Sequence, residues 1–257
     1  MLLLIDIGNS NITIGFYDGG IKNILRLKTD LKIKNIMDEL KDFILKHRMK
    51  KPEDAIMCSV VPRVSPLLSG ALKKSFGFMP LNVGHNLRLG LKFRMKNHAH
   101  LGADRIANAV AAHTLYYGHL IVVDFGTATT FCLISSNGEY KGGSIMPGIG
   151  ISKDVLAEKT AKLPKVRLKA PAKALGGNTE SNILSGLFFG HAGAVERIIR
   201  EIKHELANRM KNKNKIPICV IATGGFANLI APYIKGIKKI NPELTLHGLK
   251  IIYKLNR

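Results

Sequence analysis

Leu2-Leu3-Leu4-Ile5-Asp6-Ile7-Gly8-Asn9-Ser10 and Leu120-Ile121-Val122-Val123-Asp124-Phe125-Gly126-Thr127 are two copies of one plan. Each is an apolar run that reads as a buried strand and ends in an Asp-x-Gly turn. A β-rich stretch returns from each turn, Asn11–Tyr17 from the first and Thr129–Ile134 from the second. Asp18-Gly19-Gly20 and Asn137-Gly138 follow as further turn signals. The offset is constant: 124 − 6 = 118, 126 − 8 = 118 and 138 − 20 = 118. A repeat of that length is too long for a solenoid. It predicts an α/β chain of two similar domains, 1–117 and 118–257, whose duplicated turns face each other across a cleft.

The remaining elements are read outward from this repeat. Apolar residues at helical spacing predict helices over 30–48, Asp104–Tyr116 and Thr179 to about Met210. Ala55–Val61 reads as a strand stopped by Pro62, and Ile216–Ala222 as a strand running into Thr223-Gly224-Gly225. A helix is expected from Phe226, and a short strand, Leu249–Tyr253, is expected to close the chain. Lys211 to Lys215 reads as a solvated turn.

The chain has 257 residues, 46% apolar and 22% charged, which excludes a disordered protein. No run reaches the roughly 18–20 apolar residues of a membrane span. The first residues lack a basic start and meet Asp6 early, so no secretory signal is read and the cytoplasm is the expected location. Cys58, Cys132 and Cys219 form neither a disulfide framework nor a zinc pair. The net charge is 39 − 18 = +21, spread evenly as 18 − 9 = +9 over residues 1–117 and 21 − 9 = +12 over the rest. Without a recognition motif this reads as a lysine-rich surface that gathers small anions such as nucleotides, with nucleic acid not expected as a partner.

Several residues carry candidate chemistry. Gly8 lets backbone approach a ligand, Asn9 and Ser10 add polar side chains, and Asp6 ends an apolar strand. A metal ion carried by a nucleotide phosphate is one suitable partner for that carboxylate. Asp124 to Thr127 offers the same parts with a hydroxyl added. Thr223-Gly224-Gly225, between a strand and a helix, suits an adenine or ribose lying over backbone. There is no P-loop and no G-x-G-x-x-G. Gly102-Ala103-Asp104-Arg105 opens a helix, where Asp104 favours the dipole and Arg105 can grip a substrate carboxylate. His98-Ala99-His100 places two imidazoles on one strand face but lacks a third metal ligand. His191 reads as a hydrogen-bonded core histidine.

These motifs together resemble type III pantothenate kinase, of the acetate-kinase, sugar-kinase and actin superfamily. The matching stretches are Asp6 to Ser10 with Gly15, Ser59-Val60-Val61-Pro62, Gly102 to Arg105 and Asp124 to Thr129. They continue with Gly143 to Gly148, Gly177-Asn178-Thr179, Ser185-Gly186 and Thr223-Gly224-Gly225. The resemblance implies two actin-like (ribonuclease H-like) domains with a duplicated core. It implies ATP-dependent phosphorylation of pantothenate to 4'-phosphopantothenate, the first step of coenzyme A synthesis, by a homodimer. It further implies magnesium and a monovalent cation, potassium or ammonium.

Carried over residue by residue, Asp6, Ile7, Gly8, Asn9, Ser10, Asn11, Ile12 and Thr13 would hold the ATP phosphates, with Asp6 near magnesium. Thr127 would contact ATP phosphate, and Asp124 would bind the monovalent cation. Gly102, Ala103, Asp104 and Arg105 would bind pantothenate, with Asp104 as proton acceptor and Arg105 near the substrate carboxylate. Thr179 would touch pantothenate from the partner subunit. The chain departs from the family pattern at Met95, where a tyrosine is usual, at Asn97-His98 for Asn-Pro, at Ser10 for threonine and at Cys58 for serine. Two other readings are a catalytically silent regulatory relative, and a kinase of the same fold for another small hydroxyl compound.

Overall fold

The computed structural model describes residues 1–96, 100–209 and 216–257. The His98-Ala99 part of the histidine pair, Asn97 and the lysine-rich turn lie outside the described residues. The chain forms two compact units, the first made of Met1–Gly90, Lys96–Ala111 and Leu244–Arg257, the second of Leu91–Met95 and Ala112–Glu243.

The first unit is built on strands β1 (Leu2–Ile7), β2 (Asn11–Tyr17), β3 (Ile21–Lys28), β4 (Asp54–Ser59) and β5 (Leu81–Asn82). Their order in the sheet is β3-β2-β1-β4-β5. β1, β2 and β3 pair antiparallel, while β4 lies parallel to β1 and to β5. Helices α1 (Ile33–Lys46) and α2 (Ser65–Phe76) supply Ile36, Leu40, Leu68 and Leu72 to a core that includes Leu3, Ile5 and Ile7. Strand side chains alternate between faces, so Leu2, Leu4 and Asp6 point the other way. Leu2 and Leu4 are buried there too. A strand covered on both faces reads as an unbroken apolar run.

The second unit repeats the first. Its strands are β6 (Lys92–Phe93), β7 (His119–Phe125), β8 (Ala128–Ile134), β9 (Glu139–Pro147), β10 (Ile218–Thr223) and β11 (Lys239–Ile240), in the order β11-β10-β7-β8-β9-β6. Read from β9, the order β9-β8-β7-β10-β11 matches β3-β2-β1-β4-β5 with the same strand directions. The constant offset of the sequence hides one compensation. Four residues, 8–11, separate Ile7 from its partner Ile12, but only three, 126–128, separate Phe125 from its partner Thr129. The following turn is one residue longer, 135–138 against 18–20. The long helix α5 (Thr179–Arg209) lays Leu184, Leu187, Phe188, Val195 and Ile199 on Ile121, Val123 and Phe125. Helix α4 (Ile149–Glu158) precedes it, and helix α6 (Ala227–Ile230) is a single turn followed by a 3-10 turn at Ala231–Tyr233. The helix expected from Phe226 is therefore short, because Pro232 removes an amide donor.

Two expectations need correction. Leu249–Tyr253 is not a strand: it lies inside helix α7 (Leu244–Asn256), whose buried residues include Leu246, Leu249 and Ile252. The division at 117/118 also differs from the compact units, since α7 packs on β1 and β4 of the first unit. Helix α3 (Ala103–Leu115) crosses from one unit to the other. α7 is held by close approaches: Leu246 sits over Gly15, and a Cβ on Gly248 would strike the carbonyl of Ala107. Tyr253 donates to Asp54 Oδ2 at 2.8 Å, which ties the helix to the start of β4. No helix among the described residues is long and apolar enough to cross a membrane.

Overpacking a tight helix crossing costs about 1–3 kcal/mol. Gly248→Ala should lower the free energy of unfolding by an amount in that range, read as a lower urea midpoint at unchanged slope, and an unchanged midpoint would show that the α7 crossing is loose.

Candidate functional site

In the first unit the site is set by strand register. Asp6 is paired with Thr13 on β2 and with Cys58 on β4, so the three side chains form a row on one face of the sheet. Cys58 has no exposed surface, and its Sγ donates to Asp6 Oδ1 at 3.3 Å. Burial first, then the charges of Asp6 and Asp104, push the Cys58 thiol well above its usual range, so it stays protonated. The fact that Asp104 acts on this thiol puts the start of α3 in the same neighbourhood.

Gly102 precedes that helix start. A Cβ there would meet Asp104 Oδ1 and would lie 3.4 Å from Val60 Cγ1. Val60 follows β4 directly, and its N–H donates to the carbonyl of Ile7. The carboxyl ends of β1 and β4 and the amino end of α3 thus converge, the usual position of ligands in open α/β sheets. Asp104 Oδ1 accepts the N–H of Arg105 at 2.8 Å. Burial raises the Asp104 pKa above 3.8, and the Arg105 amide and charge offset only part of that. A carboxyl shifted upward is the better proton acceptor.

The hairpin of residues 8–11 is less open than its glycine suggests. The Gly8 N–H donates to the carbonyl of Asn11 at 3.0 Å, within the turn itself. Ile7 and Ile12 are buried in the core, so only their backbones can meet a ligand. Asn9, Ser10 and Asn11 are exposed. Thr29, which sequence reasoning missed, clasps the turn: its hydroxyl donates to the carbonyl of Gly8 at 2.7 Å and its N–H to that of Ser10 at 3.2 Å. No local signal marks Thr29, because the contact depends on where β3 ends.

The second unit carries the matching row. Asp124 pairs with Thr130 on β8 and with Thr223 on β10. Gly224 has φ +92°, and a Cβ there would strike Asp124 Oδ1 and the backbone of Phe125. The Gly148 N–H donates to the carbonyl of Thr127 at 3.2 Å, and a Cβ on Gly148 would collide with that carbonyl. Glycine is therefore demanded at both positions by close backbone approach. The Thr223 hydroxyl is fully buried and has no hydrogen-bond partner among the described residues. An orphaned oxygen beside a carboxylate, itself seated in the cradle left by the missing Gly224 side chain, fits a hard cation. At Asp6 the fit is of another kind. Among the described residues no group of three or more His, Cys, Asp or Glu could hold a metal ion. One carboxylate suits magnesium that arrives with nucleotide phosphates.

His191 lies on α5 and its Nε2 is 3.0 Å from Thr129 Oγ1, with both residues buried. Burial lowers its pKa, so it is the neutral core histidine that the sequence suggests. Thr179 begins α5 and is exposed. The Asn178 side chain accepts the N–H of Ser181 at 2.9 Å and caps that helix.

The family model of type III pantothenate kinase matches residues 2–201. The chain belongs to that family. A type III pantothenate kinase of Dehalococcoides mccartyi is 42% identical over 262 residues, covering 100% of this chain and 98% of the relative. One of Moorella thermoacetica is 40% identical over 264 residues and covers both chains fully, 100% of each. Among solved structures, a Campylobacter jejuni protein placed in the Baf family of transcriptional activators superposes with TM-score 0.60 at 23% identity, over 98% of this chain and 97% of that one. A ROK family glucokinase from Streptomyces griseus, in complex with glucose and AMPPNP, superposes with TM-score 0.52 at 13% identity, over 98% and 99% of the two chains. These structures share the fold, so the chain has two actin-like domains, and family membership makes it a kinase.

Two outcomes are expected at Asp104. Gly102→Ala, which displaces the carboxylate, should cut turnover about tenfold or more, checked by steady-state kinetics beside a melting curve. The raised pKa means that the folded state binds the proton more tightly than the unfolded chain, so ionised Asp104 opposes folding above its folded pKa. Asp104→Asn should therefore raise the melting temperature at neutral pH. That gain should shrink as pH falls toward the ordinary value of 3.8, and a gain that stays constant with pH would contradict it.

Proposed function

We propose that the chain transfers the γ-phosphoryl group of ATP to the primary hydroxyl of pantothenate, giving 4'-phosphopantothenate. The observation that carries this reading is the burial-raised carboxyl of Asp104, next to Arg105 at the start of α3 and in the neighbourhood of Asp6. Phosphoryl transfer proceeds through a loose transition state, so positioning and charge neutralisation matter more than a strong base. Asp104 orients the substrate hydroxyl and takes its proton late. Arg105 grips the pantothenate carboxylate, which a guanidinium can bind bidentately. Gly102 and Ala103 bring backbone to the same substrate.

Asp6, Ile7, Gly8, Asn9, Ser10, Asn11, Ile12 and Thr13 hold the ATP phosphates, the two isoleucines through backbone alone, and Thr127 adds a hydroxyl. Magnesium, with Asp6 nearby, neutralises phosphate charge when bound. Asp124 holds potassium or ammonium, and the Thr223 hydroxyl and the Gly224 cradle support that assignment. Thr179 meets pantothenate from the partner subunit of a homodimer, in keeping with its exposure. Met95 ends the segment anchored by Arg94, whose Nε donates to Glu139 at 2.8 Å, and it stands where the family has a pocket tyrosine.

The test is ADP release from ATP and magnesium, with and without pantothenate, in potassium and in sodium buffer. Pantothenate-dependent turnover stimulated by potassium is expected, and Asp104→Asn should lose it by about two orders of magnitude or more. Turnover with other small alcohols but not with pantothenate would overturn the substrate.

A further inference from the structure

The rows Thr13, Asp6, Cys58 and Thr130, Asp124, Thr223 occupy the same places in the two sheets. In both, the residue on the parallel neighbour carries a donor and has no exposed surface. The rows differ in the bond made by this parallel neighbour. Cys58 Sγ reaches Asp6 Oδ1, whereas Thr223 Oγ1 has no hydrogen-bond partner among the described residues. The terminal torsion of an aspartate is broad and roughly two-fold, so each hydrogen bond to the carboxylate narrows its orientation. The Cys58 backbone is held by its pairing with β1 from Leu2↔Asp54 to Ile7↔Ser59, and its side chain is buried.

We propose that Cys58 is a positioning residue for phosphoryl transfer: its buried S–H···O bond helps set the orientation in which the Asp6 carboxylate meets nucleotide-borne magnesium. The inference rests on the reading that Asp6 stands near that ion. Cys58 acts through Asp6, and a thiol that can donate only one weak hydrogen bond limits the effect. Outer partners of a metal-binding carboxylate change metal affinity about 10–100-fold. A weak donor belongs at about the lower end, near tenfold.

Two full-length variants separate positioning from packing. Cys58→Ser keeps a donor, and Cys58→Val fills the volume without one. The affinity for ADP is measured by calorimetry with magnesium and again in EDTA, next to the magnesium concentration for half-maximal turnover. Cys58→Val should weaken magnesium-dependent ADP binding about tenfold and raise the magnesium requirement, leaving ADP binding in EDTA and the KM for pantothenate unchanged. Cys58→Ser should restore the magnesium-dependent values. Equal loss in both buffers, or equal behaviour of the two variants, would overturn the proposal even where wild-type protein phosphorylates pantothenate. Failure of wild-type protein to phosphorylate pantothenate, with the magnesium-specific loss still present in Cys58→Val, would overturn the substrate and keep Cys58 in its role.

Discussion

A carboxylate can end a doubly covered strand but cannot interrupt it, and both sites in this protein obey that constraint. Leu2 and Leu4 share a sheet face with Asp6 and are buried, because helices cover the strand along most of its length. A bare charge under those helices would cost several kcal/mol. Only past the covering helices, at the carboxyl end of β1 or β7, can a charged side chain stand. There it meets whatever the neighbouring strand ends and helix starts supply. Asp6 and Asp124 are placed by this requirement, and the groups around them follow from the register of β2, β4, β8 and β10.

Duplication fixed the frame, and the two copies then diverged in what surrounds the carboxylate. In the first unit Cys58 bonds Asp6, and α3 starts close enough to bring a second carboxylate, Asp104, into the same electrostatic environment. In the second unit the equivalent of Ser59 is Gly224, a residue with no side chain, beside a Thr223 hydroxyl that has no hydrogen-bond partner among the described residues. In the proposed function one unit accepts the proton and the other holds a small ion. That asymmetry suits a reaction in which charge must be balanced in one place and an oxygen oriented in another.

Much of this is legible in the amino-acid sequence. Each paired apolar run with an Asp-x-Gly turn reads as a strand and its return, since a strand buried on both faces must be apolar until its last residues. Asp6, Asp104, Asp124 and the Thr223-Gly224-Gly225 loop were visible as motif residues. Leu249–Tyr253 reads as a strand because Ile251-Ile252-Tyr253 has β-branched and aromatic character. The true period of α7 shows in Leu246, Leu249 and Ile252, which face the sheet. Its membership of the first unit was not legible at all. The contacts that hold it there, Leu246 on Gly15 and Gly248 on Ala107, join residues 246 − 15 = 231 and 248 − 107 = 141 positions apart.

The amino-acid sequence alone determined the duplicated strand plan, the kinase family and the three carboxylates, because each is written in local pattern: apolar runs, turn residues, a helix start. Only the tertiary structure decided what stands beside them. Cys58 lies next to Asp6 because parallel pairing brings together residues 52 positions apart. The Gly8 amide is closed off by Asn11, and Thr29 clasps the same turn from the end of β3. Gly224 must be glycine because Asp124 occupies the space of its missing side chain. Register and close packing act between distant segments, and no local propensity encodes them.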